Sequence, residues 1–163
     1  MAHNDAAYSG ELIVTWAEVH RDAKILVRRL LPATKWTGIV AITRGGLVPA
    51  AIFAREMEIR LIDTICISTY DDKSRGDVKL IKVPDGALQA QGKGWLVVDD
   101  LVDTGVTMRA TRELLPEAHV ATIYAKPKGL PYVDTFVHEV PQNTWIHFPW
   151  DTDVTVTPPL ARS

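Results

Sequence analysis

The chain has 163 residues, 47% of them hydrophobic and 23% charged, which suits one globular domain with a sizeable core and leaves little room for a second. A net charge of −2 at pH 7 and a pI near 6.2 argue against nucleic-acid binding as the main business. No stretch approaches the roughly 18 apolar residues of a membrane span, and the N-terminus lacks the charged-then-apolar order of a signal peptide, so a protein of the cell interior is expected.

Met1 to Gly10 is small and polar without periodicity and is expected to fray, leaving residues 11–163 as the folded domain. Thr15 and Glu18 have capping-box spacing. Trp16, Val19, Ala23, Leu26, Val27 and Leu30 then share one face, which predicts an amphipathic helix stopped by Pro32. Arg21, Lys24, Arg28 and Arg29 mark its solvent side. Gly38-Ile-Val-Ala-Ile42 is a short apolar run that reads as a central strand. It leads into Thr43-Arg-Gly-Gly-Leu47 and a segment of helical composition, Val48 to Met57, where Pro49 is tolerated in the first turn. Gly45 and Gly46 let backbone N–H groups approach an anion, and Arg44 offers a fork for phosphate oxygens. In isolation the same residues read as a Gly-Gly turn beside a surface arginine.

Leu61 to Ser68 predicts a third strand, with Cys66 a small buried residue within it. A single cysteine makes no internal disulfide and fits a reducing compartment. The charged segment Tyr70 to Asp77 and the alternation from Lys79 to Val83 suggest a hairpin-like flap. The most informative stretch follows. Trp95 to Val98 is apolar and reads as a strand buried on both faces, with Asp99 and Asp100 at its carboxyl end, where ligands bind in open parallel sheets. Leu101, Val102, Asp103, Thr104, Gly105, Val106 and Thr107 come next, and Met108 to Leu115 favours helix until Pro116. A helix N-terminus with two hydroxyls and a glycine is a cradle for a phosphate. Three carboxylates beside it need another partner: a Mg²⁺ ion, sugar hydroxyls, or a proton to be moved. Capping of the next helix is the plainer alternative, but that requires one aspartate rather than three. His119 to Ala125 predicts a further strand ending at Lys126-Pro127. Thr144-Trp-Ile-His147 precedes Phe148-Pro-Trp-Asp151, and Trp145 suits either stacking on an aromatic ligand or a place in the core. The five histidines show no zinc-ligand spacing.

The sequence of apolar strand, two acids, two apolar residues and Asp-Thr-Gly-x-Thr resembles the 5-phosphoribosyl-1-pyrophosphate (PRPP) motif of the type I phosphoribosyltransferases. Thr43-Arg-Gly-Gly-Leu47, Ala125-Lys-Pro127 and Trp145-Ile146 extend the resemblance over roughly Val14 to Pro159, toward the bacterial purine enzymes of that family. It implies an α/β fold with a central, mostly parallel sheet flanked by helices and completed by a flap and hood. It also implies transfer of the 5-phosphoribosyl group from PRPP to N9 of a 6-oxopurine (guanine, xanthine or hypoxanthine), with Mg²⁺ as cofactor and pyrophosphate released.

By the same resemblance, Arg44, Gly45 and Gly46 hold pyrophosphate, in a loop that often has unusual peptide geometry before its first glycine. Arg75, with Lys73 as the alternative, reaches the phosphates from the flap. Asp99, Asp100, Leu101, Val102, Asp103, Thr104, Gly105, Val106 and Thr107 form the PRPP site, with Asp100 as the metal contact. Asp99, Asp100 and Asp103 are the catalytic set. For the base, Asp103 meets N7, Lys126 meets O6, Trp145 stacks on the ring, and Ile146 offers its backbone carbonyl to the C2 substituent. Val106 stands where close relatives often carry glycine. The resemblance implies a cytoplasmic homotetramer, and peripheral association with the inner membrane is known within the family. Its alternatives are a hypoxanthine-guanine enzyme and a non-catalytic regulator that binds PRPP or nucleotides; Asp103, Lys126 and Trp145 together favour an enzyme.

Overall fold

The computed structural model describes residues 9–69, 78–151 and 161. The chain opens with β1 (Gly10–Ile13) and α1 (Trp16–Leu30). Thr15 caps α1 as its spacing predicts: its hydroxyl accepts the Glu18 N–H at 3.2 Å, while the Glu18 carboxylate accepts the Thr15 N–H at 2.8 Å. The helix buries Val19, Ala23, Leu26, Val27 and Leu30. Trp16 departs from the expected face. It is 57% exposed and lies tilted against Trp150 at 5.9 Å, so its ring rests on another aromatic instead of entering the core.

β2 (Gly38–Ile42) is wholly buried and is followed by α2 (Leu47–Glu56), β3 (Ile62–Thr69) and β4 (Val78–Lys82). β3 and β4 pair antiparallel, which is the hairpin expected for a flap. The segment between them, with Lys73 and Arg75, lies outside the described residues. Cys66 is half-buried rather than buried, since β3 has only the short β4 beyond it, and Ile67 is partly open and Ser68 open as well.

Then come α3 (Asp85–Gln89), β5 (Trp95–Val102), α4 (Val106–Leu114), β6 (His119–Ala125), β7 (Thr135–Glu139) and β8 (Thr144–His147). The six-stranded sheet has the order β4-β3-β2-β5-β6-β7 and is parallel except for β4. β1 and β8 form a separate parallel pair, Gly10↔Thr144 to Ile13↔His147. Gly10, assigned to the tail, is therefore the first residue of a strand, and its amide donates to Asn143 O at 3.3 Å.

Alternation along the parallel strands divides the core in two. Ile39, Ala41, Leu96, Val98, Ala121 and Ile123 meet α1 and α2, with Phe53 fully buried. Val40, Ile42, Val97 and Val120 meet Met108 and Leu115 of the α4 region and Ala87 of α3. Arg112 fastens α4 to the strands beyond it, donating to Ala118 O at 2.8 Å and Tyr132 O at 3.2 Å and pairing with Asp134. Among the described residues no helix is long and apolar enough to cross a membrane.

Candidate active site

The site gathers at the carboxyl ends of β2, β5 and β6. β5 runs further than its apolar run predicts: it pairs with β2 only as far as Ala41↔Val98, but with β6 through Asp99↔Thr122 and on to Val102↔Ala125. Asp99 and Asp100 thus sit within the strand, on the part that has lost one neighbour. The turn proper is Asp103-Thr104-Gly105, and α4 starts at Val106 rather than Met108. The N-cap of α4 is Gly105, at φ 83°, with no side-chain cap. None of the three aspartates caps this helix, so the capping explanation fails. Gly105 is required twice over: its φ is left-handed, and a Cβ there would overlap the Tyr132 ring.

The turn and the first helical residues enclose a cavity of about 150 Å³ lined by Asp99 and by Leu101 to Met108. First-turn N–H groups of a helix look for partners in such a place. A larger, open hollow of about 470 Å³ lies between α1 and α2, with His20, Lys24, Arg55 and Glu56 in its wall, and shares no residue with the cradle.

The adjacent carboxylates have different neighbours. Asp99 lines the cavity, whereas Asp100 lies against the Thr43–Gly46 loop, where a Cβ on Gly45 would overlap its carboxylate. The Thr43–Arg44 peptide in that loop is cis, the unusual geometry expected ahead of the first glycine. Arg44 itself is exposed. Burial, reinforced by the Asp100 charge, pushes the Asp99 carboxyl well above the usual carboxylate range. Burial pushes Asp100 up to about 6, with Asp151 adding to it and hydrogen bonds, including one from Leu101 N–H, opposing it. Two desolvated acids side by side favour binding a cation or sugar hydroxyls.

Asp103 and Lys126 meet directly. Lys126 is 1% exposed, and its ammonium lies 2.9 Å from Asp103 Oδ2. The Lys126 amide donates to Val102 O at 2.9 Å, which holds the end of β6 beside the turn after β5. The other Asp103 oxygen accepts from Gln142 Nε2 at 2.6 Å, a residue that sequence reasoning passed over. Its only signal was its place in Pro141-Gln-Asn-Thr144, which reads as an ordinary turn. Three residues further on, Trp145 is half-buried on β8, its ring edge-on to His147 at 6.4 Å, and Ile146 is buried in the core. Trp145 is thus neither fully in the core nor free of the fold.

The family model for the phosphoribosyl transferase domain matches residues 15–157. The xanthine-guanine phosphoribosyltransferase of Nitratidesulfovibrio vulgaris (strain DP4) is 56% identical over 150 residues, covering 91% of this chain and 90% of that protein. Among solved structures, the purine phosphoribosyltransferase of Pyrococcus horikoshii superposes with a TM-score of 0.73 at 25% identity, covering 92% and 97% of the two chains. A hypothetical protein from Neisseria gonorrhoeae with bound ppGpp gives a TM-score of 0.70 at 29% identity over 88% and 90%.

Proposed function

Because the chain belongs to the phosphoribosyltransferase family, we propose that it is a purine-salvage enzyme, transferring the 5-phosphoribosyl group from PRPP to N9 of a 6-oxopurine. The observation that carries this reading is the contact between buried Lys126 and Asp103 beside the α4 cradle. O6 and N7 are neighbours on one edge of a 6-oxopurine, an acceptor beside a site that carries a proton in the transition state. A donor and an acceptor already touching each other match that edge.

The chemistry asks for positioning and charge neutralisation rather than a nucleophilic side chain. Breaking the bond at ribose C1 leaves positive charge on the sugar and negative charge on departing pyrophosphate. Thr104, Gly105, Val106 and Thr107, with the Leu101–Val102 backbone behind them, receive the 5-phosphate at the helix N-terminus. Arg44 and the Gly45–Gly46 amides receive pyrophosphate, and Arg75 is the flap residue assigned to it. Asp99 and Asp100 accept hydrogen bonds from the ribose diol. Asp103 takes or holds the N7 proton, Lys126 donates to O6, Trp145 stacks on the base, and the Ile146 carbonyl meets the C2 substituent.

Mg²⁺ fits this donor set, with Asp100 as the protein contact, because that ion is commonly held by one or two carboxylates together with water and substrate oxygens. Among the described residues no cluster of three or more His, Cys, Asp or Glu offers an all-protein cage. Bound there, it would neutralise charge on the leaving group. Family resemblance also supports a cytoplasmic homotetramer, which sedimentation would check.

A second reading, a nucleotide-binding protein without turnover, is favoured only by the likeness to the neisserial structure. Mixing the protein with PRPP, Mg²⁺ and guanine, xanthine or hypoxanthine decides between them. The enzyme reading expects nucleotide and pyrophosphate in equal amounts, and saturable PRPP binding without product from any base would overturn it.

A further inference from the structure

Asp103 has both carboxylate oxygens engaged, Oδ2 by Lys126 at 2.9 Å and Oδ1 by Gln142 at 2.6 Å. The Gln142 contact spans 39 residues, from the turn that leads into β8 back to the loop after β5. The direction of the Gln142 amide is set by its other end. Its Oε1 accepts the Lys128 backbone N–H at 2.9 Å. A backbone N–H only donates, so the amide oxygen must face Lys128 and the NH₂ group must face Asp103. An NH₂ group also only donates, so Asp103 Oδ1 is held as an acceptor.

From this geometry we infer that Gln142 is a positioning residue for the acid that meets the purine. The inference rests on the assignment of Asp103 to N7. When a base arrives, Lys126 turns part of its donor capacity to O6 and frees Oδ2. Gln142 keeps Oδ1, and that one retained bond fixes the angle at which Oδ2 is presented to an N7–H. Lys128 completes the clamp from the loop that also carries Lys126, so both groups that meet the base are tied to one short segment. Sequence spacing carries no trace of this arrangement, since Gln142 does not titrate and sits in a stretch that reads as an ordinary turn.

The test compares 9-deazaguanine, which keeps an N–H at position 7, with 7-deazaguanine, which has a C–H there. Inhibition constants against guanine are measured at about pH 8, where glutamate is ionised, for wild type, Gln142→Leu and Gln142→Glu, together with KM for PRPP and thermal stability. Gln142→Glu still accepts from Lys128 but donates nothing to Asp103, so it separates anchoring of the loop from positioning of the acid. Wild type is expected to favour 9-deazaguanine by about tenfold to a hundredfold, the range of a hydrogen bond to a charged group. Both variants should lose most of that preference while KM for PRPP stays within about twofold, the split that separates base positioning from general damage. If wild type binds the two analogues alike, the assignment of Asp103 to N7 is wrong and the inference falls with it. If wild type discriminates and Gln142→Glu discriminates equally, Asp103 does not need Gln142. A parallel loss of PRPP affinity and stability in both variants would make Gln142 structural and overturn its positioning role.

Discussion

Gly45 is glycine because of Asp100, whose carboxylate occupies the space a Cβ would need. Gly45→Ala must therefore displace either the Thr43–Gly46 loop or the acid. Overpacking of this kind costs about 1–3 kcal/mol, and because the displaced group belongs to the site, activity should fall well beyond what the loss of stability explains. Activity and melting temperature measured on the same preparation check this, and an alanine variant with normal turnover would remove the argument. Asp100→Asn is the complementary change. It should slow turnover by about a hundredfold to a thousandfold, the loss of roughly 2.7–4 kcal/mol of transition-state stabilisation. Thermal stability should be kept or raised, since a neutral amide replaces a half-buried carboxylate whose pKa burial raises. Steady-state rates with saturating Mg²⁺ and a melting curve without it read the two effects separately. The aspartate cluster is legible as a candidate site because acids beside Asp-Thr-Gly-x-Thr have few other uses, whereas Gln142 is not, because its contacts are two hydrogen bonds that only the folded loop creates.

β2 and β6 were predicted with the bounds they have, because each is an apolar run bounded by polar residues and buried on both faces. The apolar run of β5 ends four residues before the strand does. Its backbone continues to pair with β6 whatever its side chains are, so two acids that end the apolar pattern do not end the strand. β1 carries no sequence signal for a different reason: it is four residues long, and its partner β8 lies far along the chain. α2 carries the Gly45–Gly46 loop at its N-terminus and is seated by Phe53, which is fully buried. Phe53→Ala should destabilise the fold by about 3–5 kcal/mol, read as a lower denaturant midpoint; a change under about 1 kcal/mol, the level of volume-conserving swaps, would mean that α2 is held otherwise.

His119, the first residue of β6, packs against Trp36 at 5.3 Å and hydrogen-bonds Thr135 at 2.8 Å. Burial lowers its pKa from the ordinary value, with nearby Arg112 and Lys35 acting the same way and Asp134 opposing. The neutral ring is the form the fold accepts, so its contribution is complete above the unfolded value of about 6.5 and is lost as pH falls through the lower folded value. His119→Gln should flatten the decline in melting temperature on the acid side of neutrality, and an unchanged slope would assign that decline to other groups.

At the scale of the whole molecule, the sheet brings three loops to one edge: Thr43–Gly46 after β2, Asp103–Gly105 after β5, and Lys126–Gly129 after β6. Parallel strands with helices on both faces leave their carboxyl ends as the open side, and each loop brings a different chemistry to it: an arginine fork with glycine amides, a helix N-terminus beside acids, and a buried lysine. The β1–β8 pair adds Trp145 from the two ends of the described chain, and Gln142 joins it to Asp103. On the proposed function, Lys126 and Asp103 together read a 6-oxopurine. Adenine carries an amino group at C6 and would set donor against donor in a desolvated pocket. Sites of this kind discriminate by about 10⁴ or more, against roughly a hundredfold for shape alone. The decisive measurement is the ratio of kcat/KM for guanine to that for adenine, in wild type and in Lys126→Met. A ratio of about 10⁴ or more is expected in wild type, falling steeply in the variant as guanine use weakens. Comparable use of adenine by wild type, or an undiminished preference in the variant, would contradict it.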